Sequence, residues 1–191
     1  RIRIHSTDDR ATITAQAADL QAKEVDITAG NANLNGRISR HTDIGKAKIT
    51  HQNGVQAREH QSGSSETYQA TRIQAEQFDM NISGNLNIVG TDIQAKNSNI
   101  LGGNVHLGAE KTVNLREHSK NQSKGSWYRN EQESSRVETT HRTTIAGDSV
   151  NIEATKGKVT TEGAKVSAKT TAINGEQGVN LRGTKATTTQ T

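Results

Sequence analysis

The chain of 191 residues contains no cysteine and no proline. Without cysteine there is no disulfide and no thiolate ligand or nucleophile, so stability must come from non-covalent contacts. A chain of this length with average composition would contain roughly ten prolines, since proline makes up about 5% of residues. Because proline cannot donate a main-chain hydrogen bond, its absence is expected where nearly every residue belongs to a β-ladder.

Apolar and aromatic residues are also scarce, at 29% and 2% of the chain. No apolar run is long enough to span a bilayer as a helix. So low an apolar content is typical of disordered chains, but disorder is also associated with a high net charge, and the formal charge here is only +4. The few aliphatic residues are spaced periodically, which a disordered chain does not require.

A short pattern recurs in which two apolar residues flank one polar residue, usually after Gly, Asn or Asp. This alternation has the two-residue period of a strand with one buried face. The pattern occurs at Ala32-Asn33-Leu34, Leu86-Asn87-Ile88, Val105-His106-Leu107, Val113-Asn114-Leu115, Val150-Asn151-Ile152 and Val179-Asn180-Leu181.

A second repeat sets the period of the fold. Ile73-Gln74-Ala75-Glu76 and Ile93-Gln94-Ala95-Lys96 are near copies 20 residues apart, and the strands at Leu86 and Val105 that follow them are 19 apart. About 20 residues form one turn of a parallel β-helix, and repetition at such a period indicates a solenoid. The sequence therefore predicts an all-β fold, a parallel β-helix that occupies residues 1–191 as a single segment.

The aliphatic rhythm stops twice, at about residues 56–71 and 116–144. Residues 1–54 are predicted to hold two to three turns before the first excursion. Both excursions end on a similar run, Thr71-Arg72-Ile73 and Thr143-Thr144-Ile145. Stretches of this length are either disordered loops or structured arms. The strand-like composition of Ser135–Thr144 favours extended β-hairpin arms.

Several blocks resemble the haemagglutinin repeats of filamentous haemagglutinin-like exoproteins. They are Arg116-Glu117-His118-Ser119, then Thr139-Thr140-His141, and Thr144-Ile145-Ala146-Gly147-Asp148-Ser149-Val150-Asn151-Ile152. The resemblance implies a right-handed parallel β-helix and an internal stalk segment of a large exoprotein, secreted to the surface of a Gram-negative bacterium through a two-partner outer-membrane transporter. It implies an adhesin, or an effector of contact-dependent growth inhibition that delivers a toxin to a target cell.

Three aromatic residues lie in the excursions: Tyr68 in the first, and Trp127 and Tyr128 in the second, with Lys124 and Arg129 close by. Aromatic side chains on an otherwise polar surface favour contact with a partner or a lipid interface. The candidate partners are a receptor, the outer membrane or a glycan of the target cell. The alternative is that Trp127 and Tyr128 pack back on the wall of the β-helix.

Catalytic, metal and cofactor chemistry is not indicated. None of the seven histidines has metal-ligand spacing, and no nucleic-acid site is expected, because no dense basic stripe is present. A glycan-processing β-helix enzyme is the alternative from another class, and it would require clustered carboxylates. The alternative of a membrane-engaging segment would be favoured if the arms carried their aromatic residues at a common tip. The histidines are His5, His41, His51, His60, His106, His118 and His141.

Overall fold

The computed structural model describes residues 1–184 and 188–190, and every regular element in this part of the chain is a β-strand. The all-β prediction is therefore confirmed. In chain order the strands are β1 (Ile2–His5), β2 (Thr12–Gln16), β3 (Asp19–Gln21), β4 (Glu24–Ala29), β5 (Asn31–Asn35), β6 (Arg37–Gln52), β7 (Val55–Gln69), β8 (Thr71–Val89), β9 (Thr91–Lys124), β10 (Trp127–Arg142), β11 (Thr144–Ala154), β12 (Val159–Glu162), β13 (Lys165–Gly175), β14 (Val179–Arg182) and β15 (Thr188–Gln190).

The chain forms two compact units, which are described separately. The first unit holds the parallel strands and the second holds the antiparallel ones. The first comprises Arg1–Arg37, Tyr68–Glu110 and Thr140–Lys185, and the second comprises Ile38–Thr67, Lys111–Thr139 and Ala186–Thr191.

In the first unit, windings of the chain pair with one another in parallel and in register. Ile73 of β8 lies opposite Ile93 of β9, 20 residues on, and Leu86 lies opposite Val105, 19 residues on. The change from 20 to 19 occurs at an irregularity between Ile82 and Asn85. Both spacings agree with the period that the sequence predicted.

The parallel register collects aliphatic side chains into columns that form the core. In one column Ile27 lies opposite Met80, Met80 opposite Ile100, and Ile100 opposite Ile152. All four side chains are buried. Residues one position along, such as Asn99 and Asn151, face the other way, as the two-residue period of a strand requires. Each winding therefore covers the apolar residues of the next, so a few apolar residues per winding are enough to form the core.

Buried threonines occupy the corner where each excursion returns to the parallel strands. Thr71, Thr91 and Thr143 are fully buried. At the two excursion ends, the hydroxyl of Thr71 donates to the carbonyl of Asn35 at 2.6 Å, and that of Thr143 donates to the carbonyl of Ile88 at 3.1 Å. Thr91, which follows no excursion, lies opposite Thr71 and donates to the carbonyl of Leu34 at 2.9 Å. The similar runs that end both excursions thus reflect one structural need, a small side chain that satisfies a buried carbonyl.

Asparagine side chains link neighbouring windings on the outside of the first unit. The Asn151 amide donates to the Asn99 side-chain oxygen at 3.0 Å, and the Asn104 amide donates to that of Asn85 at 3.0 Å. The Asn85 main-chain N–H donates to the Asn31 side-chain oxygen at 2.9 Å. These bonds add polar contacts parallel to the main-chain ladders.

The second unit is an antiparallel sheet with the strand order β6, β7, β9, β10, β15. Gln56 of β7 lies opposite Ser123 of β9, and the register runs to Ser64 opposite Leu115. Asn53 and Gly54, between β6 and β7, have φ of 50° and 74°. Two positive values are what a type I′ hairpin turn requires. The excursions are thus hairpin strands and not disordered loops.

The second unit overlaps the predicted excursions, 56–71 and 116–144, but does not coincide with them. The second unit takes residues 38–67 and 111–139. Ile38, Ile44 and Ile49 continue the aliphatic rhythm before residue 56, yet they are exposed residues of β6, which pairs with β7. The Val113-Asn114-Leu115 pattern is likewise part of the antiparallel sheet and not of a parallel winding.

A matched pair of substitutions tests the core. Ile100→Ala removes a fully buried side chain between Met80 and Ile152, and should lower the free energy of unfolding by about 2–5 kcal/mol. Ile44→Ala, at a side chain 92% exposed, should change it by less than about 0.5 kcal/mol. Urea unfolding followed by circular dichroism measures both, and equal effects would contradict the column assignment.

Candidate functional site

Four of the five predicted partner-binding residues meet at one hairpin turn. Gly125, with φ of 58°, occupies the first central position of the turn between β9 and β10, where a type II′ turn places glycine. The flanking residues Lys124, Trp127, Tyr128 and Arg129 are therefore close together. We call these four residues the aromatic tip.

The aromatic side chains of the tip are largely open to solvent. Trp127 is 50% exposed and Tyr128 is 64% exposed. The Tyr128 hydroxyl donates to the side-chain oxygen of Asn121 at 3.3 Å, and its ring borders a recess of about 290 Å³ with Gln56 and Arg58. Amphipathic rings held in this way offer a large apolar contact area together with polar edges.

The charges at the tip are basic and only partly neutralised. Arg129 pairs with Glu131 at 2.5 Å. The turn between β6 and β7 lies beside Lys124, since a Cβ built on Gly54 would be 3.6 Å from Cε of that lysine. Two hairpin turns therefore meet at the same end of the sheet. The arrangement can offer cations and aromatic rings to an anionic or amphipathic surface.

Tyr68, the fifth predicted residue, lies at the end of β7 and belongs to the first unit, whereas the four residues of the aromatic tip belong to the second. Its ring stacks on His141 with centroids 4.1 Å apart and planes 15° apart, and its hydroxyl donates to the carbonyl of Gly90. A Cβ on Gly36 or Gly90 would collide with this hydroxyl. Tyr68 thus lies against backbone that only glycine permits, and its binding of a partner stays a prediction.

Burial and nearby charge shift the pKa values of this stacked pair. Desolvation, followed by the negative charges of Glu110 and Asp92, raises the pKa of Tyr68 to about 12. Desolvation lowers the pKa of His141, against a smaller opposing effect of Glu110. Both rings therefore favour their neutral forms.

Sequence reasoning missed the role of His141, which it named in a block that resembles the haemagglutinin repeat and among the possible metal ligands. Its position was a usable signal, because His141 lies two residues before Thr143, as Tyr68 lies three residues before the equivalent Thr71. The two aromatic residues thus precede equivalent corners. Their contact depends on stacking of windings, which the local sequence does not show.

One pair of carboxylates comes together on the outside of the first unit. Asp26 and Asp79 lie opposite each other on adjacent windings. Asp26 forms an ion pair with Arg3 at 3.3 Å, and the Gln77 amide donates to Asp79 at 3.1 Å. In residues 1–184 and 188–190, no three His, Cys, Asp or Glu side chains form a group able to hold a metal. No helix there could cross a membrane.

Comparison with protein families matches residues 123–191 to the family described as Hemagglutinin repeat. This domain is typical of filamentous haemagglutinin-like exoproteins, so the resemblance that the sequence predicted is confirmed over that stretch. Proteins with the repeat are typically secreted, and the repeat family is structural and non-catalytic. Comparisons with curated proteins and with solved structures each found no match.

The lowered pKa of His141 predicts a pH dependence of stability. The unfolded chain takes up this proton first, below its pKa of about 6.5, so the free energy of unfolding should fall as the pH drops through that value toward the lower folded pKa. His141→Phe keeps a stackable ring and should lose this part of the decline. Urea titrations from pH 8 to about pH 4.5 measure the difference, and identical slopes would contradict the assignment.

Proposed function

We propose that this chain is a right-handed parallel β-helix segment of the stalk of a large secreted exoprotein. The observation that carries the proposal is the set of aliphatic columns, in which equivalent residues of successive windings stack in parallel register. A structure built in this way repeats along one axis and derives its stability from nearest-neighbour windings. The Hemagglutinin repeat match supports the same proposal.

The wider role that we propose is adhesion or contact-dependent toxin delivery by a Gram-negative bacterium. Secretion would take place through a two-partner outer-membrane transporter. The absence of cysteine suits such a path, because the chain needs no disulfide on either side of the membrane. The parallel windings would serve as a scaffold that carries the antiparallel strands.

We further propose that the aromatic tip contacts the target cell, through a receptor, a glycan or the outer membrane. Exposed Trp127 and Tyr128 next to Lys124 and Arg129 support this assignment. Membrane engagement is favoured by the same group, because tryptophan and tyrosine flanked by lysine and arginine are typical of lipid interfaces. The carboxylate pair does not favour a glycan-processing enzyme, since Asp26 is neutralised by an arginine.

A tag inserted at the exposed Asn53-Gly54 turn tests the location. Such turns tolerate insertion, so the segment should fold and secrete normally. In the bacterium that encodes the chain, intact cells or the medium should display the tag to an antibody. A tag that antibodies reach only after cell lysis, with secretion otherwise intact, would contradict the proposal.

Replacing the aromatic residues tests the tip. The double substitution Trp127→Ser and Tyr128→Ser should leave the circular dichroism spectrum unchanged and weaken attachment to target cells about tenfold or more, as loss of two exposed aromatic anchors would. Val137→Ser, at another exposed apolar residue of the same unit, is the matched control. Undiminished attachment by the double variant would contradict the proposal that the aromatic tip contacts the target cell.

A further inference from the structure

Strand β6 has one open edge. In the described chain it pairs with β7 alone, so the main-chain groups on its other side have no strand partner. The strand has 16 residues, an extended length of about 54 Å. Long open edges are sites where a further strand can add, and proteins usually shorten or cover them. This edge is neither short nor interrupted by proline.

Large apolar side chains of β6 are also exposed to solvent. Ile44 is 92% exposed and Ile49 is 55% exposed, and their odd spacing places them on opposite faces of the sheet. The buried hydrophobic residues of the described chain all belong to the first unit. The sheet that contains β6 therefore has no apolar core of its own, and an added strand would cover Ile44 and Ile49 through cross-strand pairs.

The charge of β6 determines which strand would fit. Its sequence contains four basic residues, of which Arg40 pairs with Glu66 of β7 at 3.6 Å, and one acidic residue, Asp43. Asp43 already contacts His41 at 3.2 Å. A second copy of β6 would bring like charges together, which is destabilising in cross-strand pairs. An acidic strand would instead place its carboxylates opposite residues such as Lys48.

We propose that the open edge of β6 binds an extended acidic segment of a partner protein by β-strand addition. Main-chain hydrogen bonds would supply the affinity. Carboxylates on the face that carries Lys48, and β-branched side chains on the opposite face that carries Ile49, would supply the selectivity. This inference does not depend on the aromatic tip or on the adhesive role. It assigns a binding surface to a strand that the sequence had placed in the β-helix.

The test uses the full chain and two synthetic peptides, one of alternating Glu and Val and one of alternating Lys and Val. The Glu peptide should bind about tenfold more tightly at low salt, the size that several cross-strand charge pairs supply together. High salt should reduce the preference. Hydrogen exchange of the amides in Arg37–Gln52 should slow when the Glu peptide binds. Equal affinities, or protection confined to other strands, would overturn the proposal.

A charge-reversal variant separates the edge from general electrostatic attraction. Lys48→Glu should reduce the preference for the Glu peptide several-fold, while Lys23→Glu, the same change at an exposed position of the first unit, should not. Equal losses in the two variants would show attraction by net charge and would overturn the assignment. Concentration-dependent protection of β6 without peptide would also overturn it, because the occupant would then be a second copy.

Discussion

The parallel main-chain ladder between successive windings is the interaction on which the first unit depends. It fixes which residues lie above one another, and so it places Met80 between Ile27 and Ile100. A column of this kind stays dry with one aliphatic residue per winding, which explains how a chain with 29% hydrophobic residues can bury a core. The buried main-chain carbonyls at the corners have hydrogen-bond partners, because threonines such as Thr91 donate to them.

The second unit lacks that source of stability and differs in what it exposes. Tight turns join β6 to β7 and β9 to β10, and none of the unit's described hydrophobic residues is buried. Its surface instead presents Trp127 and Tyr128 at one turn and Ile44 on an open edge. A sheet without a buried apolar face is only marginally stable by itself, so packing against another surface would stabilise it. Buried core residues and exposed apolar residues are thus divided between the two units.

Part of the site was predictable and part was not. The sequence brought Lys124, Trp127, Tyr128 and Arg129 together because they are neighbours across a glycine turn, a purely local feature. Tyr68 could not be placed in this way. Its environment is formed by Gly36, Gly90 and His141, which come from three separate stretches of the chain. Only the stacking of windings brings those stretches to one ring.

The sequence by itself determined the period of the parallel strands, since Ile88 and Leu107 occupy the adjacent layers that their spacing requires. The tertiary structure alone decided which of the regularly spaced aliphatic residues lie in parallel windings and which lie in antiparallel hairpins. Ile49 and Ile100 sit in similar alternating patterns, yet one is exposed and the other buried. The physical reason is that alternation specifies a strand with two unlike faces, whereas the partner strand decides whether either face is covered.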